Sequence, residues 1–250
     1  MKYGFAGDRQ ISVNILNFLI SKGYEPNFLI VAEGKNASHS QELINISKLN
    51  EEHIFTNESI KEPKRLSELM KFDVDYIFGI HFPYIIKNEL INLPKVGFLN
   101  LHPAYLPFNK GWHTPSWAIL DESKYGATLH FMSEELDGGD IIAQEELEVS
   151  STVTANELYR QALKLEEELF YKNLESLLTL NPIRNKQVTS GTSHNKKDLQ
   201  KIQNINISEK TYPLELLKKL RALTTNNPNE AAYIIIDGKK IGINVKLFEM

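Results

Sequence analysis

The chain has 250 residues, 42% of them hydrophobic and 24% charged, with a formal net charge of −4 and no cysteine. That length suits one large domain, or one domain with a smaller appendage, and the composition is ordinary for a soluble globular protein. The missing cysteines exclude disulfides, thiolate metal sites and a cysteine nucleophile.

No run approaches the roughly 18 apolar residues that span a bilayer. The opening MKYGFAGDRQ reads as a first strand and turn rather than a signal peptide, so the expected location is cytoplasmic. Charge is unevenly spread. Residues 182–250 hold 12 Lys and Arg against 6 Asp and Glu, whereas residues 1–181 hold 16 against 26. A basic tail is either a solvated face or a surface that meets an anionic substrate or nucleic acid.

In chain order, Lys2 to Gly7 predicts a first strand, and the spacing of Ile11, Ile15, Leu16, Leu19 and Ile20 predicts an amphipathic helix. Phe28 to Val31 is a short apolar run, read as a buried second strand. Helical spacing returns between Ser38 and Leu49, a third strand is read at His53 to Thr56, and a helix at Pro63 to Met70. Tyr76 to Ile80 predicts a fourth strand, followed by HFPYII, a helix near Lys87 to Leu93, and a fifth strand at Gly97 to His102. Such alternation of strands and helices predicts an open parallel sheet with helices on both faces.

Ala127 to Met132 and Ile141 to Glu148 read as an added pair of strands. Thr154 caps a long helix to about Leu178, with Leu158, Ala162, Leu165, Leu169, Leu174 and Leu177 as its inward stripe. Asn181 to Thr211 is polar and reads as a linker or arm. Pro213 to Leu223 predicts a short helix, and Ala232 to Phe248 a hairpin turning at Asp237-Gly238.

The chemistry concentrates between Gly97 and Asp140. Asn100 and His102 alternate with Leu99 and Leu101, so the amide and the imidazole share one face at a strand's carboxyl end. A neutral histidine accepts a proton, an Asn amide donates to an oxyanion, and the carboxylate of Asp137 orients the ring. Each also has an ordinary structural reading: His102 as a packed histidine, Asp137 as a turn residue before Gly138-Gly139. His113 and His130 are alternative catalysts. No metal-ligand spacing is present, and GFAGDRQ lacks the third glycine of G-x-G-x-x-G, so no NAD or ATP site is expected. Arg9, at a helix start, is either a phosphate ligand or a surface arginine near a cap.

Three separated pieces, NLHPAYLP followed by Gly111, GATLHFM and LDGGDIIAQ, occur in order and resemble the folate-dependent formyltransferases. The likeness covers roughly residues 1–180. It implies a Rossmann-like α/β catalytic domain with a mostly parallel sheet over 1–180. Residues 181–250 would form a polar linker and a small C-terminal helix and β-hairpin region. It also implies 10-formyltetrahydrofolate as co-substrate without a metal, and Asn100, His102 and Asp137 as the catalytic residues. The GWHTPSW loop most resembles N-formyltransferases acting on dTDP-linked amino sugars, such as dTDP-4-amino-4,6-dideoxyglucose or its 3-amino counterpart. On that resemblance the folate meets Phe82, Tyr84, Ile85, Leu136 and Asp140. The nucleotide sugar meets Arg9, Gly111, Trp112 and His113, and the chain pairs with a second copy through its C-terminal region. Formylation of methionyl-tRNA and a non-catalytic folate- or nucleotide-binding protein are the alternatives. No nucleic-acid or membrane partner is expected otherwise.

Overall fold

The computed structural model describes residues 1–187, 191–248 and 250. Seven strands form one sheet in the order β3-β2-β1-β4-β5-β7-β8. They are β1 (Tyr3–Gly7), β2 (Phe28–Val31), β3 (Ile54–Thr56), β4 (Tyr76–Ile80), β5 (Gly97–His102), β7 (Tyr125–Phe131) and β8 (Ile141–Leu147), with a two-residue β6 (Lys110–Gly111) between β5 and β7. The helices are α1 (Arg9–Ser21), α2 (Ser40–Ser47), α3 (Pro63–Leu69), α4 (Asn88–Ile91), α5 (Thr114–Leu120), α6 (Ala155–Leu178) and α7 (Pro213–Ala222). β9 (Ser193–His194) pairs with β6, and β10 (Ala232–Ile236) with β11 (Lys239–Ile243).

The chain forms two compact units. The first comprises Met1–His102, Leu129–Ala143 and Glu166–Lys186. In it β1 pairs parallel with β2 and β4, β2 with β3, and β4 with β5. β1, β2 and β4 are buried along their whole length, as continuous apolar runs in a parallel sheet must be when both faces are covered. Phe28, Phe55, Leu69, Ile77, Leu90 and Phe98 form one core cluster, with Phe72 and Phe82 packed against it.

The long helix departs from its expected stripe. Leu158, Ala162, Leu169, Leu174 and Leu177 are buried as predicted, but Leu165 is partly exposed, and Glu166 and Phe170 are fully buried. The buried row runs 158, 162, 166, 170, the four-residue spacing of one helix face, so a carboxylate occupies a position that periodicity assigns to an apolar side chain.

The second unit comprises Pro103–Thr128, Gln144–Leu165 and Gln187–Met250. Ala118, Ile119, Tyr125, Leu158, Ala162 and Ala222 pack together in it. Thr154 and Glu157 form a reciprocal cap on α6: the Thr154 amide donates to Glu157 Oε2 at 3.0 Å and the Glu157 amide to Thr154 Oγ1 at 3.4 Å.

The segment read as a linker is partly ordered, and the physical reason is hydrophobic. Leu199 is buried with Leu223 and Ala232, against Ile202 and Ile205. Ser193 and His194 pair in parallel with Lys110 and Gly111. Residues 188–190, which belong to the same expected linker, lie outside the described residues. The hairpin turns at Asp237-Gly238 as predicted, both at positive φ (49° and 73°), but its second strand ends at Ile243 rather than near Phe248.

Asp8, at the β1–α1 junction, is fully buried. Its carboxylate accepts the amides of Ser38 (3.0 Å) and His39 (2.9 Å), the Ser38 hydroxyl (2.9 Å) and Arg9 Nη1 (2.8 Å). Burial alone pushes this carboxyl up. The hydrogen bonds from His39 and Ser38 and the Arg9 charge outweigh it and hold the group below the usual carboxylate range. A depressed folded value stabilises the fold above the unfolded value near about 3.9 and loses that contribution as pH falls through the folded value. Asp8→Asn is therefore expected to lower the thermal midpoint at pH 7, with the gap to wild type closing below about pH 4. Melting curves at stepped pH check this, and a constant gap at every pH would contradict it.

Candidate active site

The site grows from the seam between β5 and β7. β4 and β5 run parallel with Gly79 opposite Asn100 and Ile80 opposite Leu101, so His81 follows β4 at the level of His102. On the other side, the Met132 amide donates to the Phe98 carbonyl at 2.7 Å, and Asn100 reaches His130. These opposed numbers make β7 antiparallel to β5 and set His130 beside Asn100.

The polarity of that contact follows from atom types. His130 Nδ1 stands 2.8 Å from the Phe131 carbonyl, which only accepts, so Nδ1 carries the proton. In the neutral ring Nε2 is then an acceptor, and Asn100 Nδ2 donates to it at 3.2 Å. The amide orientation of Asn100 is thereby fixed, and its nitrogen carries a second N–H. His130 itself is buried at 1% exposure. The structure thus gives this alternative catalyst an orienting contact to Asn100.

The loop after β7 brings the carboxylate. The Gly138 amide donates to the Glu135 carbonyl at 3.1 Å and the Phe131 amide to the Asp140 carbonyl at 2.9 Å. Asp137 takes the left-handed conformation between them (φ 49°). Its Oδ2 stands 3.6 Å from His102 Nε2 and its Oδ1 3.9 Å from His130 Nε2. Both distances are longer than a hydrogen bond and spannable through one water. The carboxylate and the His102 ring are about nine-tenths buried (side-chain exposure 11% and 8%), where dielectric screening is weak. Gly139 permits the loop: a Cβ there would fall 1.9 Å from the Phe131 carbonyl oxygen.

Asn100, His102 and Asp137 are therefore brought together in the first unit. Phe82, Tyr84, Ile85, Leu136 and Asp140 belong to the same unit. Ile85 is almost fully exposed (95%) and Leu136 is exposed, while Phe82 packs on the core and the Tyr84 hydroxyl donates to the Glu33 carbonyl at 2.5 Å. Arg9 is also in this unit, at positive φ (72°). Its Nη1 donates to Asp8, to the Ser38 hydroxyl (2.8 Å) and to the Asn36 carbonyl (3.1 Å), so the arginine ties the 34–39 loop to β1.

Gly111, Trp112 and His113 belong to the second unit. Trp112 is exposed, with Lys196 Nζ 4.8 Å from its ring centroid. His113 Nδ1 stands 3.7 Å from Glu230 Oε2. Among the described residues, no group of three or more His, Asp and Glu side chains is arranged to hold a metal. No helix among them is long and apolar enough to cross a membrane.

The sheet with its flanking helices is an α/β architecture of the Rossmann-like kind, and Asn100, His102 and Asp137 come together beside it. Residues 25–174, well over half the chain, match the family described as formyl transferase, and the chain belongs to that family. Residues 198–249 match the N-formyltransferase dimerization C-terminal domain.

The dTDP-4-amino-4,6-dideoxyglucose formyltransferase of Mycobacterium tuberculosis is 27% identical over 184 residues, covering 74% of this chain and 77% of the relative. Methionyl-tRNA formyltransferase of Lachnospira eligens is 27% identical over 252 residues, covering 97% and 78%. A 4-N formyltransferase structure from Francisella tularensis superposes with TM-score 0.83 at 25% identity, covering 100% of this chain and 98% of that one. An N-formyltransferase from Helicobacter canadensis, solved with folinic acid and dTDP-3-aminofucose, shares the fold with TM-score 0.72 at 24% identity, covering 96% and 86%.

Nitrogen NMR of the His130 ring is expected to show a protonated Nδ1 and an unprotonated Nε2, and the reverse tautomer would break the Asn100 assignment. Gly139→Ala is expected to abolish formyl transfer by displacing Asp137, since the Cβ meets backbone rather than a yielding side chain. Full turnover of that variant would contradict the loop geometry.

Proposed function

We propose that the enzyme is a sugar N-formyltransferase. It moves the formyl group of 10-formyltetrahydrofolate to the amine of a dTDP-linked amino-dideoxyhexose. The observation that carries the formyl-transfer chemistry is the cluster in which His130 orients Asn100 while Asp137 stands within 3.9 Å of both His130 and His102. The nucleotide sugar of the Mycobacterium tuberculosis relative and the folinic acid and dTDP-aminosugar of the Helicobacter canadensis structure support it.

In this mechanism the amine nitrogen attacks the formyl carbon and forms the new C–N bond. His102 accepts the amine's proton, directly or through a water. Asn100 donates its second N–H to the oxyanion of the tetrahedral intermediate, as such preorganised donors do. Asp137 orients the His102 ring and stabilises its cation. When the bond to folate N10 breaks, the proton returns to that nitrogen, and tetrahydrofolate leaves. Phe82, Tyr84, Ile85, Leu136 and Asp140 are the proposed folate contacts; Arg9, Gly111, Trp112 and His113 are the proposed contacts of the nucleotide sugar.

Residues 1–180 form the catalytic domain in this reading, and residues 181–250 the accessory region through which two copies pair. The dimerization-domain match and the exposed Ile235, Ile236 and Ile241 of the hairpin support that pairing.

Mass spectrometry is expected to show one formyl group gained by dTDP-4-amino-4,6-dideoxyglucose or by its 3-amino counterpart. Formylation of methionyl-tRNA alone would replace this reading with the tRNA one, and folate binding without any turnover would leave a non-catalytic binder. Asn100→Ala and Asp137→Ala should remain folded and lose about 100- to 1,000-fold in kcat. Near-normal turnover of either would remove it from the mechanism. In light scattering, the wild type is expected at twice the chain mass and Ile235→Lys at the chain mass; a monomeric wild type would end the pairing proposal.

A further inference from the structure

Glu166 is a fully buried carboxylate on α6, and both its oxygens lie 3.0 Å from His81 Nε2. Among the described residues, no other hydrogen bond to this carboxylate is found. A buried charge is costly, and an apolar side chain of similar size in the same helical row serves stability at least as well. The polarity at this position therefore points to orientation rather than to stability.

What it orients is the exit from β4. His81 is the first residue after the strand and takes the left-handed conformation at φ 49°, which side-chain-bearing residues adopt at a cost. Immediately before it, the Ile80 carbonyl accepts the Ser12 hydroxyl at 2.5 Å and the Asp8 amide at 3.4 Å. Immediately after it, Phe82 and Ile86 reach back into the core, and Tyr84 is tied to Glu33. Ile85 is left almost fully exposed. The turn at His81 thus decides where the 82–87 segment leaves the sheet, at the level of His102 on the neighbouring strand.

We propose that Glu166 is a positioning residue for the folate-facing segment 82–87, acting through His81. The proposal rests on the reading of that segment as a folate contact. The carboxylate holds the imidazole at 3.0 Å, so the turn is fixed through its side chain. Loss of the grip releases the turn and weakens the co-substrate without touching the amine acceptor.

The test compares Glu166→Leu and Glu166→Gln with wild type in steady-state kinetics and in direct titration with 5-formyltetrahydrofolate, a non-reactive folate probe. Glu166→Leu is expected to raise KM for 10-formyltetrahydrofolate, and Kd for the probe, about ten-fold, the scale of one hydrogen bond to a charged group. KM for the amino sugar should stay within about two-fold, a margin small beside that ten-fold effect. Glu166→Gln keeps an acceptor oxygen and should recover most of the folate affinity. Should Glu166→Leu not fold, the double variant Glu166→Leu/His81→Leu removes both partners, leaves neither one buried and unpaired, and keeps a side chain at the left-handed turn; it is read in the same way.

A folded variant that lacks the pair yet binds the probe like wild type would overturn the positioning role. So would equal loss for both substrates, which is a general structural effect. A wild-type protein that binds no folate probe and forms no formyl product would instead overturn the reading of the site, and the positioning role with it.

Discussion

The seam between β5 and β7 is the constraint on which the site depends. A backbone hydrogen bond from Met132 to Phe98 sets its register, and Asn100 then lies beside His130. Side chains alternate across a strand, so a slip of one residue would turn Asn100 and His102 to the opposite face together. The same register fixes where β7 ends, and hence where the 132–140 loop starts. The geometry of the proposed site is inherited from ladder geometry.

Around that seam, polar groups are buried only with partners that specify their direction. Asn100 donates to His130, and the His130 proton is held on Nδ1 by the Phe131 carbonyl. Asp8 gathers two amides, a hydroxyl and a guanidinium, and so joins β1 to the 34–39 loop. Glu166 meets His81 at the end of β4. Each centres on a buried polar side chain, His130, Asp8 or Glu166, for which a hydrogen bond is strong and a misplaced one costly. The apolar core sets overall stability, while these contacts choose one conformation for the loops at that edge.

Membership of the formyl transferase family accounts for the reaction class and leaves the acceptor to the chain's own residues. Relatives of equal identity act on a nucleotide-linked amino sugar and, by name, on methionyl-tRNA. In the proposed mechanism the Asn–His–Asp cluster serves attack by an amine on a formyl carbon, whichever molecule carries that amine. Acceptor choice therefore lies outside the cluster.

Much was legible in the sequence because local signals agreed. Continuous apolar runs gave β2 and β4 to the residue, Thr154 marked the start of α6, and Asp237-Gly238 marked the hairpin turn. Alternation alone placed Asn100 and His102 on one face, and motif order singled out Asp137. What sequence could not decide were pairings between residues far apart in the chain. That His130 orients Asn100 depends on an antiparallel register, and that Glu166 belongs to the buried row of α6 depends on a histidine 85 positions earlier. The polar stretch after Asn181 read as a linker because composition registers solubility. Leu199 is buried there only because Leu223 and Ala232 arrive from later in the chain. Periodicity is a property of one segment and can be read from it, whereas a partner for a buried polar or isolated apolar side chain exists only once the segments have met.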